Sequence, residues 1–146
     1  MVDPRQRSKK RSSSKKLLRG FTLYLCHNID YDAVADALRR NGIRFKRHRD
    51  CFVSGDTADT ELLPKVGKHR WILITADQKQ RTRIVENELI KRYKIRQFVF
   101  TSGEVGDVGK LLVKASKKMR NICKKHEGPF VYSISKSGNV SRRALS

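Results

Sequence analysis

Residues 70–75 read RWILIT, an apolar run set between KVGKH before it and ADQK after it. A continuous run of this length suits a β-strand covered on both faces, as at the centre of a parallel sheet. Working outward, FTLYLC at 21–26, IRFKR at 43–47 and IRQFVF at 95–100 read as further strands. Between them the spacing turns helical. Tyr31, Val34, Ala37 and Leu38 share one face, with Asp30 read as the N-cap and Asn41-Gly42 as the stop. After a polar loop, HRDCFVSGDT, a second helix starts near Thr57 or Ala58, capped by Asp56 or Thr57. It carries Leu62, Leu63 and Val66 past an awkward Pro64. A third helix is expected over 80–93, and TSGEVGDVG follows the fourth strand as a glycine-punctuated loop. The stretch PFVYSIS, a Lys136-Ser137-Gly138 turn and NVSRR read as a terminal strand or hairpin. This alternation predicts an α/β fold: a three-layer α/β/α sandwich with a mostly parallel central sheet of four to five strands. Right-handed crossovers gather the loops that follow each strand at one edge of that sheet, where sites in such folds form.

Charge narrows the partners. The 146 residues hold 34 Lys+Arg against 14 Asp+Glu, a formal net charge of +20. Residues 1–20 carry eight of the cations and one acid, Asp3, and read as a disordered basic arm. Residues 21–146 form the domain and keep a charge of +13. Polyanions gain affinity by counterion release, so nucleic acid is the leading partner class. A basic tail serves equally well for solubility or addressing. No apolar run approaches the roughly 20 residues of a membrane span, and no secretory h-region opens the chain, so a cytoplasmic protein without membrane partners is expected. Cys26, Cys51 and Cys123 are too scattered for a disulfide framework and include no CxxC pair.

The long segment VGKLLVKASKKMRNICKKH sorts its residues by face at about 100° per residue. Leu111, Leu112, Ala115, Met119, Ile122 and Cys123 fall on one arc, with Val113 out of place. Lys110, Lys114, Lys117, Lys118, Arg120, Lys124 and Lys125 fall on the other, and no acid lies between Val108 and His126. Solvated faces ordinarily mix both signs, so this ridge is read as nucleic-acid contact. Lys79, Arg81 and Arg83 form a second basic stretch after the central strand.

The expected carboxyl edge collects Cys26-His27-Asn28, Thr75-Ala76-Asp77 and Thr101-Ser102-Gly103-Glu104, with Asp56, Asp59 and Glu61 around the second helix start. Carboxylates converging from separate strand ends suit Mg²⁺ or Mn²⁺, which orient water against a phosphodiester. Asp77, Asp59 and Glu61 are the candidate ligands. A helix-start acid serves equally as a cap or a dipole match, which bears on Asp56 and Asp59. Trp71 and the four histidines are read as structural, and Cys26–His27 as no nucleophilic pair, because neighbours at a strand end point to opposite faces.

In order and spacing, LYLCHNIDYDAVADALRRNGIRF, DTADTELLPKVGKHRWILITADQK, IRQFVF and GPFVYSISKSG resemble the PIN-like domains related to VapC-type toxins of toxin–antitoxin systems, over residues 21 to about 143. The resemblance implies metal-dependent endoribonuclease chemistry, with Asp59 and Asp77 at family acid positions and Asn28 matching the Asn of a D-E-N motif. It is also compatible with a homodimer and with an acidic antitoxin-like partner. At the first strand the chain departs from the pattern, reading Cys26-His27-Asn28 where relatives carry a carboxylate. Thiol and imidazole suit softer ions than Mg²⁺. Two expectations therefore stand side by side: an endoribonuclease with Asp77, Asp59 and Asn28 as catalytic residues, and a degenerate module that binds RNA or an acidic protein without cleavage.

Overall fold

The computed structural model describes Leu18 and residues 20–51, 59–76, 84–101 and 105–143. The apolar run at 70–75 supplies β3 (Ile72–Ala76), flanked by β1 (Thr22–Leu25) and β4 (Arg96–Phe100). Beyond them lie β2 (Arg44–Arg47) on one side and β5 (Phe130–Ile134) and β6 (Val140–Arg143) on the other, giving the order β2-β1-β3-β4-β5-β6. The first five strands are parallel, and β6 returns antiparallel to β5 as the second arm of the terminal hairpin. The expected three-layer α/β sandwich is thus observed, with one strand more than the sequence reading allowed.

Among the described residues, the helices that connect the strands are α1 (Asp32–Arg40), α2 (His48–Cys51), α3 (Asp59–His69), α4 (Ile84–Arg92) and α5 (Val105–Lys125). Successive residues of a strand face opposite layers, and the core divides accordingly. Ile72, Ile74, Phe98, Phe100 and Phe130 pack with Val34, Leu38, Leu112 and Met119 of α1 and α5. Leu73, Tyr24, Val99 and Val131 pack with Leu62, Leu63, Val66 and Ile90 of α3 and α4. Gly109 allows α5 to cross α1 closely, since a Cβ there would meet the Ala37 Cβ at 2.7 Å. Leu18 joins the α1/α5 layer at 2% exposure, so the packed chain reaches back into the stretch read as arm. Residues 1–17 and 19 of that arm lie outside the described residues.

Three helices end in the same way. In α1, α3 and α4 a residue two or three past the helix end donates to a carbonyl five residues back (Ile43 to Leu38, Trp71 to Val66, Ile95 to Ile90), the Schellman pattern that turns the chain into the next strand. The preceding residue must take positive φ; it is Gly42 after α1, but Arg70 (φ 57) after α3 and Lys94 (φ 52) after α4. Side chains pay about 1 kcal/mol for that conformation, which glycine adopts freely.

Several local expectations are corrected. The stretch after β2 is not all loop, because His48–Cys51 forms the single turn α2 and buries His48. Asp30 does not cap α1: the cap position is Tyr31, without a side-chain bond, and the Asp30 carboxylate is taken by arginines. Tyr31, assigned to the buried face, stands 44% exposed because it precedes the first helical turn. Pro64 is tolerated inside α3. The proposed caps Asp56 and Thr57 lie outside the described residues. Among the described residues no helix is long and apolar enough to cross a membrane.

Candidate active site at the carboxyl edge of the sheet

The order β2-β1-β3 puts a topological switch point between β1 and β3, whose following loops run to opposite sides and leave a crevice at their carboxyl ends. The β1/β3 ladder closes with Cys26 N–H donating to Ile74 O at 3.0 Å. The Asn28 side chain then supplies the next rung. Its Nδ2 donates to Ala76 O at 2.8 Å and its Oδ1 accepts Ala76 N–H at 3.4 Å. Asn28 therefore clamps the residue that immediately precedes Asp77. Thr75 Oγ1 accepts Gln97 Nε2–H at 2.9 Å, tying the same strand end to β4.

Beside the crevice, a 3-10 turn (His27–Ile29) carries the chain out of β1. It brings Cys26 Sγ and His27 Nδ1 to 3.6 Å, so the expectation that these side chains diverge is corrected: strand alternation ends where the turn begins. The His27 and His48 rings lie 5.6 Å apart, although their separation in sequence showed no ligand spacing. Tyr24 Oη and His48 Nδ1 are 2.5 Å apart in a buried contact, and burial pushes the Tyr24 phenol well above its usual range.

Asp30 is the acid that follows the end of β1 in sequence, and arginines hold it. It is buried, accepting Arg47 Nε at 2.6 Å, Arg49 Nε at 3.3 Å and the Arg49 backbone N–H at 3.1 Å. Burial alone would raise its pKa, but the two arginines outweigh burial and hold the carboxyl below its ordinary value. Arg47 also pairs with Asp32 at 2.9 Å. Arg49, half-exposed at 54%, adds to the edge a cation that the sequence reading did not single out.

Of the three proposed metal ligands only the Glu61 side chain lies among the described residues. Glu61 is exposed in the first turns of α3, where it matches the helix dipole. Asp59 opens α3, and Asp77 follows β3 but lies outside the described residues, as do Lys79, Arg81 and Arg83. Among the described residues no three His, Cys, Asp or Glu side chains form a group able to hold a metal.

The ridge on α5 is present. Lys110, Lys114, Lys117, Lys118, Lys124 and Lys125 are all exposed, while Leu112, Ala115, Met119 and Cys123 are buried below them. Arg120 is withdrawn from the ridge: it is half-buried at the border of the two faces, its Nε enclosed. Lys114, exposed as a residue, lays its stem against the β5–β6 turn at Gly138.

A family model described as a PIN like domain matches residues 27–102, just over half of the chain. The chain belongs to the PIN-like family. The match runs from the 3-10 turn through β4 and so contains Asn28, Asp59 and Asp77, but not α5 and its ridge. No curated protein and no solved structure matches it. As a PIN-like domain, the protein keeps the switch-point architecture while Cys26-His27 occupies the end of its first strand.

Proposed function

We propose that this PIN-like protein acts on RNA at the carboxyl edge and cleaves its phosphodiester backbone there, with a relation to the VapC-type toxins. The observation that carries this reading is the Asn28 clamp on Ala76, because it fixes the chain next to Asp77 at the switch point. Asp77 and Asp59 are hard oxygen donors that suit Mg²⁺ or Mn²⁺, and such an ion would supply an activated water and charge neutralisation at the phosphate. Around this point the protein's own groups hold the strand. Arg49 and Tyr31 stand exposed beside Asp30, one for phosphate and one for stacking on a base. The exposed lysines of α5 run from the carboxyl edge, where the helix begins after β4, toward the opposite edge.

A second reading has its own support: Asp30 is neutralised by Arg47 and Arg49, and the first strand ends in Cys26-His27. On that reading the domain grips RNA, or an acidic antitoxin-like protein, through the same basic surface without turnover. Purified protein incubated with labelled single-stranded RNA in EDTA, Mg²⁺ or Mn²⁺ decides between them. Cleavage is expected with metal only, and is expected to vanish in Asp77→Asn while salt-sensitive RNA binding persists. Binding without product in every buffer would overturn the nuclease and leave the second reading.

A further inference from the structure

At the opposite, amino edge of the sheet a cleft of about 300 Å³ opens between the ends of α3 and α4, lined by Lys68, Arg70, Trp71, Lys94, Arg96 and Glu127. Two of its lining residues approach closely, because a Cβ on Gly67 would meet the Tyr93 carbonyl oxygen at 2.8 Å. The volume is that of a small-ligand site at the lower end of its range.

Cations at helix C-termini ordinarily just offset the dipole, so the charges must be counted. Two helix ends contribute about half a negative charge each. With Glu127 they take up about two of the four positive charges lining the cleft, leaving an excess of about two. Arg96 is the more telling group. It is 7% exposed, its guanidinium sits 5.5 Å from the Phe21 ring, and its Nη2 donates to the Arg70 carbonyl at 2.5 Å. Among the described residues no carboxylate forms an ion pair with it. Buried charges are otherwise paired, since removal from water costs several kcal/mol per ion. Arg70 and Lys94 add a third observation: both hold a left-handed backbone where glycine would be free of strain, and both carry a cation to the cleft.

We propose that this cleft binds a nucleotide through its phosphate monoester, the dianionic group that matches the excess charge, with Trp71 and Tyr93 bordering the base. The same chemistry is offered by a free mononucleotide and by the phosphorylated end of an RNA strand. The site is separate from the carboxyl edge and does not rest on cleavage there.

Trp71 is the single tryptophan of the chain, so its fluorescence reports on the cleft directly. AMP, a 5′-phosphorylated pentaribonucleotide and its unphosphorylated counterpart are titrated in EDTA, with calorimetry alongside. AMP and the phosphorylated strand are expected to saturate, and the unphosphorylated strand to bind about tenfold or more weakly. A strand end bound much more tightly than AMP assigns the site to RNA termini; equal affinity assigns it to the free nucleotide. The double variant Arg70→Gly/Lys94→Gly is expected to lose about tenfold or more of AMP affinity. Its melting temperature should hold or rise, because glycine suits both backbones. No saturable signal and no heat with either phosphorylated ligand, or undiminished affinity in the folded double variant, overturns the proposal.

Discussion

Asp30→Asn is expected to lower the stability of the fold by about 3 kcal/mol, toward the lower end of what removing one partner of a buried ion pair costs. The carboxylate is 5% exposed and receives two guanidinium donors and a backbone N–H, so asparagine leaves Arg47, itself 13% exposed, with only the exposed, water-screened Asp32 as a charge partner. The half-exposed Arg49 is screened by water and contributes less, which is why the figure stays at the low end. In a chain of this size the loss corresponds to roughly 10 °C in melting temperature. The pH dependence has a definite sign. The folded carboxyl titrates below its unfolded value of about 3.9, so its stabilisation is complete above that pH and drains away as pH falls through the folded value. Urea unfolding of the wild type and Asp30→Asn should therefore differ by about 3 kcal/mol at pH 7 and converge in strong acid. A difference below about 0.5 kcal/mol at pH 7 would place Asp30 among ordinary surface ion pairs.

The second large effect concerns the clamp. In Asn28→Ala both bonds to Ala76 are lost, and the end of β3 is no longer held to β1 beyond Cys26. Displacements of about 1 Å at a reacting centre cost on the order of 100-fold. On the nuclease reading, kcat for RNA cleavage should fall about 100-fold while KM stays within about twofold, because the basic surface that binds the strand is untouched. A merely structural role would instead show as a lowered melting temperature with kcat intact below it.

The parts of the fold that were legible in the sequence are those where a single element carries its own pattern. RWILIT needed only its length and its flanks, and the α5 segment sorted itself into a buried arc and a lysine arc. What the pattern could not show lies between elements. Asp30 has the look of a cap, an acid just before a helix, yet its partners come 17 and 19 residues later. Four-residue α2 is too short to display a period, so His48 read as loop while its ring sits against His27 and Tyr24. Asn28 could be matched to a family position, but its bonds to Ala76, 48 residues on, exist only once β1 and β3 pair. The amino-edge cleft was invisible for the same reason: Arg70, Lys94 and Arg96 are each unremarkable helix-end or strand-start cations until the sheet brings them together.

The central claim is that the PIN-like switch point at the carboxyl edge is where a divalent ion and RNA meet. A Mn²⁺ titration followed by ¹H–¹⁵N correlation spectra of the labelled protein tests it most directly, because the paramagnetic ion broadens the amides around its site. Selective loss of the Cys26–Ile29 and Ala76 signals is expected, with those of Gly67–Trp71 at the far edge retained and the effect abolished in Asp77→Asn. Uniform broadening, or broadening that begins at the amino edge and survives Asp77→Asn, would contradict it.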